Sequence, residues 1–194
     1  MTIEQSLEPT FALHPLLHER WSPRAYSHSH VLGAEDLGPC FEAARWSASS
    51  GNSQPWRFAV GFRGDSTFTD ILSSLVEGNA IWAKHASALV ANIATIRNDE
   101  GKDQPHAVYD VGQAVAHFSV QATAEGFVVH QMGGFDAGQL ATSLALPDTQ
   151  RVITVMTVGV LGDASELSEK LQQREALPRV RKPLSEVVTH GARY

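Results

Sequence analysis

Residues 107–125, AVYDVGQAVAHFSVQATAE, run for roughly five helical turns with Asp110 and Glu125 as their only formal charges. Small residues (Ala107, Gly112, Ala114, Ala116, Ala122, Ala124) alternate with Val111, Val115, Phe118 and Val120. This spacing predicts a long helix. A helix so poor in charge has to be covered nearly all round, by a sheet of the same chain or by a second subunit. Any fold for this chain must supply that cover.

The rest of the pattern supplies a sheet. Residues 56–60 (WRFAV) alternate as a strand does, and residues 86–96 (ASALVANIATI) read as a central strand covered on both faces. A short strand at 127–132 ends at Gly133-Gly134, and residues 152–160 (VITVMTVGV) are rich in β-branched side chains. Helices are predicted at 36–46, weakened by Gly38 and Pro39, and at 65–77, 136–146 and 167–175. "EGN" at 77–79 breaks the second of these. Residues 98–106 form a polar loop. The layout is α+β with a small sheet, not strict βαβ alternation.

At 194 residues the chain suits one domain, 1–194, with residues 1–14 as an extended or disordered arm and 178–194 as a C-terminal extension. A net charge of −6 argues against a general nucleic-acid surface. Cys40 stands alone, which excludes an intramolecular disulfide and a thiolate metal cluster. The N-terminus does not read as a secretory signal, and no apolar run is long enough to cross a bilayer. A cytoplasmic protein without membrane or nucleic-acid partners is expected.

Four clusters could carry chemistry. In ERWSPRAYS (19–27), Arg20 and Arg24 flank Ser22; two guanidinium forks and a hydroxyl suit a dianionic phosphate, or form a solvated turn. In RVRK (179–182), Arg179 and Arg181 point the same way if extended, or belong to a solvated tail. The loop SSGNSQPW (49–56) crowds donors and acceptors between a helix and a strand where a short turn would suffice. It lines something polar, or caps itself. Gly133 and Gly134 let backbone N–H groups approach a ligand, or make a tight turn. The nine histidines read as structural or surface residues: no HExxH occurs, and Pro15 interrupts any helix between His14 and His18. Nucleophile elbow, P-loop and dinucleotide fingerprints are all missing, so a cofactor could carry the chemistry.

Taken in order, these clusters resemble the FMN-dependent nitroreductase family from Arg20 to about Val188. RWSPRAY is similar to its Arg-x-Ser-x-(Arg/Lys) motif, and ASSGNSQPWRF to its Ser-Ser-x-Asn-x-Gln-Pro-Trp motif. YDVGQAVAHFSVQATAEGFVVHQMGGFD resembles its central helix, strand and Gly-Phe-Asp element, and LPRVRKPLSEVV its basic C-terminal motif.

The resemblance implies a mostly antiparallel small sheet flanked by helices, in an intertwined homodimer with FMN at the interface. It implies that Arg20, Ser22, Arg24, Arg179 and Arg181 hold the phosphate, ribityl chain and pyrimidine edge, with Trp21 also among the cofactor-binding residues. Ser49, Ser50 and Asn52 would reach a flavin in the partner's half of the site. Asn79 would meet the isoalloxazine edge, and Gly133 and Gly134 would present N–H groups near N5.

No side chain would be catalytic and no metal is implied. NAD(P)H would be the transient donor, and a nitroaromatic or quinone the small-molecule acceptor, in ping-pong order. Ene reduction, dehydrogenation, dehalogenation, or flavin binding without turnover are the alternatives. One departure stands out: where some members have a Lys near flavin N1 and O2, this chain has Trp82. The reduced flavin's charge would then fall more on Arg24.

Overall fold

The computed structural model describes residues 9–191. The first eight residues of the predicted N-terminal arm, and residues 192–194 of the extension, lie outside the described residues. Four strands form the centre: β1 (Trp56–Phe62), β2 (Ala88–Thr95), β3 (Val128–Met132) and β4 (Gln150–Gly159). Their order is β1-β2-β4-β3, and every pair is antiparallel. The helices are α1 (Pro15–Glu19), α2 (Ala34–Arg45), α3 (Ser66–Ser74), α4 (Glu77–Ala83), α5 (Ala107–Ala124), α6 (Ala137–Ser143), α7 (Glu169–Glu175) and α8 (Leu184–Val187).

Alternation along β2 explains the layering. Ala88, Val90 and Ala94 share a core with Leu37, Cys40 and Ala44 of α2 and with Val111, Val115 and Phe118 of α5. Leu89, Ala91 and Ile93 face the other way, toward Ile71 of α3, Trp82 of α4 and Leu140 of α6. Every residue of β2 except Thr95 is buried, as its unbroken apolar run requires. Phe118 is fully buried and meets Phe41 edge-on at 5.0 Å between ring centroids, a favoured aromatic geometry.

Two local expectations change, and the alternatives left open for a third element are narrowed. The break after α3 falls at Leu75–Val76, not at 77–79, and the EGN residues open α4 instead. Leu75 is drawn into an antiparallel bridge with Phe135, and the Val76 N–H donates to the Gly134 carbonyl at 3.1 Å. These tertiary bonds override the weak helix propensity of the segment. Pro15 does not interrupt a helix between His14 and His18; it starts α1 at the first position, where its missing N–H costs nothing. Finally, α5 is not covered on all sides by its own chain. Val108 and Tyr109 are exposed, Tyr109 to 69%, and Gly112 and Ala116 lie on the exposed side with them.

Candidate functional site

Arg20 follows α1 directly, and the C-terminal extension returns to lie against it. Arg179 donates to the Arg20 carbonyl at 2.6 Å and also to the His18 carbonyl. Arg20 Nη1 donates to Ser22 Oγ at 3.3 Å. Arg181 donates to the Val180 carbonyl at 2.8 Å. Among the described residues, none of the three guanidinium groups is paired with a carboxylate. Burial, then the charges of Arg179 and Arg181, lower the proton affinity of Arg20. Together with Lys182 these side chains line a cavity of about 330 Å³, whose lining also includes Phe11, Leu17 and Leu184. A cluster of cations with no carboxylate partner among the described residues has the chemistry to hold an anion.

Arg24 is placed elsewhere. Its guanidinium lies 3.0 Å from Glu175 Oε1, and its backbone N–H donates to the same carboxylate at 3.1 and 3.2 Å. Glu175 is a partner that sequence reasoning missed. It sits at the end of α7, and nothing in the local pattern signals a pairing 151 residues away. Trp21 is 36% exposed beside these residues in sequence.

The 49–54 loop contains a 3-10 turn, Ser50–Asn52. Gly51, Asn52 and Gln54 all have positive φ, at 57°, 56° and 46°. The loop partly caps itself: the Gln54 N–H donates to Ser49 Oγ at 3.0 Å, and Gln54 Nε2 donates to Asn52 Oδ1 at 3.1 Å. The Ser50 hydroxyl and the Asn52 amide N–H₂ are not used in these bonds and are exposed. No hydrogen bond among the described residues joins this loop to Arg20, Arg179 or Arg181 within one chain.

Asn79 and Gly134 do meet. Asn79 Nδ2 donates to the Gly134 carbonyl at 3.1 Å, which fixes the first turn of α4 against the end of β3. A Cβ on Gly134 would stand 2.9 Å from both Asn79 Nδ2 and Val76 Cγ2, whereas Gly133 has open space around it. Trp82, three residues on, turns inward: it is 1% exposed, donates to the Gly78 carbonyl at 3.0 Å and packs on His130 at 4.6 Å between centroids. It is a core residue and not a replacement for a ligand-facing cation. His130 Nδ1 lies 2.9 Å from the Pro23 carbonyl. Because a carbonyl can only accept, Nδ1 carries a proton. Burial holds the His130 pKa below its ordinary value.

Among the described residues, no group of three or more His, Cys, Asp or Glu side chains is placed to hold a metal ion. Nor is any helix long and apolar enough to cross a membrane.

Comparison with known proteins gives a consistent picture. Residues 17–160 match the profile of the nitroreductase family. A solved structure described as an oxidoreductase containing FMN is 33% identical, covers 96% of each chain and superposes with a TM-score of 0.87. An uncharacterised 15.4 kDa protein in the ask 5′ region of Mycolicibacterium smegmatis is 36% identical over 70% of this chain and 95% of its own length. The major NAD(P)H-flavin oxidoreductase of Aliivibrio fischeri is 46% identical over 50 residues, which is 24% of this chain and 23% of that protein.

Proposed function

Because the chain belongs to the FMN-dependent nitroreductase family, we propose that it is a homodimeric flavin oxidoreductase moving electrons from NAD(P)H to an electron-poor acceptor such as a nitroaromatic or quinone. When bound, FMN supplies the redox chemistry, accepting and returning hydride in separate half-reactions. The observation that carries this reading is the convergence of Arg20, Arg179 and Arg181 without a carboxylate partner among the described residues.

The residues present fit such a group. Three guanidinium groups are proportionate to a phosphate carrying close to two negative charges, and Ser22 sits beside Arg20 to share an oxygen. Asn79 and the Gly133-Gly134 backbone would border the ring, with Gly133 open enough to present its N–H. Ser49, Ser50 and Asn52 would approach from the partner subunit, since within one chain they stand apart from the arginines. Arg24 would reach the pyrimidine edge already paired to Glu175.

The exposed apolar side of α5, with Trp46 at 75% exposure and Leu17 at 51%, favours association of two copies. No protein nucleophile is required; the chain positions its ligands and excludes water.

The visible spectrum of purified protein tests the reading directly. A yellow dimeric protein that bleaches on adding NAD(P)H and recovers with a nitroaromatic or quinone supports it. Recovery only with an activated alkene assigns ene reduction, and no bleaching assigns flavin binding without turnover. A colourless monomer that takes up no FMN overturns it.

A further inference from the structure

The 49–54 loop has a backbone that needs outside support. Asn52 and Gln54 both adopt left-handed φ, a region that non-glycine residues occupy at a cost, Asn less than Gln. Such backbone persists only where its surroundings hold it. The loop's own bonds, Gln54 to Ser49 and Gln54 to Asn52, link it to itself and do not attach it to the fold.

Arg57 of β1 holds the end of the loop, donating to the Gln54 carbonyl at 3.1 Å, and the rest of the attachment comes from α5. Asp110 Oδ2 accepts from the Ser50 N–H at 3.1 Å. Gln113 Nε2 donates to the Ala48 carbonyl at 3.4 Å. His117 Nδ1 and Ser47 Oγ are 2.7 Å apart. Positions 110, 113 and 117 fall on one face of the helix, and they engage residues 50, 48 and 47 in that order. Each turn of the helix therefore grips the next stretch of the incoming chain. Asp110 is 2% exposed and Ser47 8%, so one partner of the first and of the last contact is buried, while Ser50 and His117 are exposed. A buried carboxylate in an otherwise apolar helix is expensive unless it is used, and Asp110 accepts from the loop backbone.

We propose that Asp110, Gln113 and His117 are positioning residues that hold the 47–54 loop in the shape that offers Ser50 and Asn52 to a ligand. Asp110 and Gln113 act through the loop backbone and His117 through the Ser47 hydroxyl, so the Ser50 hydroxyl and the Asn52 N–H₂ stay available while Asn52 Oδ1 accepts from Gln54. The inference rests on reading this loop as flavin-facing.

The test compares holoprotein carrying Asp110→Ala with Asp110→Asn, which retains an acceptor oxygen for the Ser50 N–H. Asp110→Ala should weaken FMN binding about tenfold, the scale of one hydrogen bond to a charged group. It should also change the visible circular dichroism of the bound flavin and speed amide hydrogen exchange at residues 49–54. Asp110→Asn should restore all three toward wild type. Unchanged affinity, dichroism and exchange in Asp110→Ala would overturn the proposal, as would an Asn variant no better than the Ala one.

If Asp110→Ala does not fold, the double variant Gln113→Ala/His117→Ala decides. Weaker FMN binding at an unchanged thermal midpoint supports the proposal, and wild-type binding ends it. Wild-type protein that takes up no FMN would remove the functional reading. The loop-exchange comparison would still report whether α5 holds the loop.

Discussion

Glu175 accepts hydrogen bonds from both the backbone N–H and the guanidinium of Arg24, joining the end of α7 to the segment that follows α1. The Glu175 side chain is 6% exposed and that of Arg24 is 23% exposed. The Arg24 charge is thus largely answered within the chain, while among the described residues Arg20, Arg179 and Arg181 have no carboxylate partner. Two arginines only four residues apart have been given different work by what packs against them.

Removing Glu175 should destabilise the fold. Glu175→Ala leaves the Arg24 N–H and guanidinium without their acceptor in a partly buried place, at a cost of about 2 kcal/mol after allowance for the exposure of Arg24. Glu175→Gln keeps one acceptor oxygen and should lose less. Urea unfolding of the two variants at neutral pH checks the order. Equal stability of wild type and Glu175→Ala would show that the contact contributes nothing.

Arg20→Ala should separate binding from stability. Its charge is repelled by Arg179 and Arg181, so the flavin-free variant should keep or gain thermal stability. FMN affinity should fall roughly ten- to hundredfold, as for one lost charge-assisted contact. Added salt should narrow the gap between wild type and variant. Titration by flavin fluorescence at two ionic strengths, beside a melting curve, reads both effects.

Much of this was legible in the sequence, and for identifiable reasons. Strand β2 announced itself because a strand covered on both faces must be apolar throughout, and its run of residues could serve little else. The polar excess at 49–54 marked a loop that cannot be a plain turn. What the sequence could not show was pairing at long range. Nothing near Arg24 points to Glu175, and nothing near Leu75 points to Phe135, so α3 ended earlier than periodicity implied. The clamp on the loop left a faint trace, since Asp110, Gln113 and His117 are polar residues at helical spacing in an otherwise apolar helix. Trp82 aligns with a ligand-facing position of some family members, yet its side chain faces the core.

Gly134→Ala should disturb the contact between α4 and β3. The added methyl group would stand 2.9 Å from Asn79 Nδ2 and from Val76 Cγ2, closer than packed atoms sit. Moving both neighbours should cost about 1–3 kcal/mol, the usual range for overpacking. Gly133→Ala meets nothing within 4 Å and is the control, expected within about 0.5 kcal/mol of wild type. Asn79→Ala in the Gly134→Ala background removes one of the two clashing groups together with the bond to the Gly134 carbonyl, so it should cost little beyond Gly134→Ala itself. Thermal unfolding of the four proteins provides the comparison, and a Gly134→Ala variant as stable as its control would contradict the geometry.

Acidification should weaken the fold through His130. Its folded pKa lies below the ordinary histidine value of 6.5 because the ring is buried, with the neighbouring Arg24 charge acting in the same direction against the bond to Pro23. Above about pH 6.5 both folded and unfolded forms are neutral there, and the group contributes no pH dependence. As pH falls through 6.5 the unfolded chain takes up a proton that the folded chain refuses, so stability drops until the lower folded pKa is reached. His85 is shifted in the same direction, by burial and then by stacked His28, and adds to the slope. His130→Asn keeps an N–H donor for the Pro23 carbonyl but cannot titrate. Denaturation midpoints measured from pH 7.5 to 5 should therefore fall less steeply for His130→Asn than for wild type. Parallel curves would mean that His130 binds protons equally well in both states.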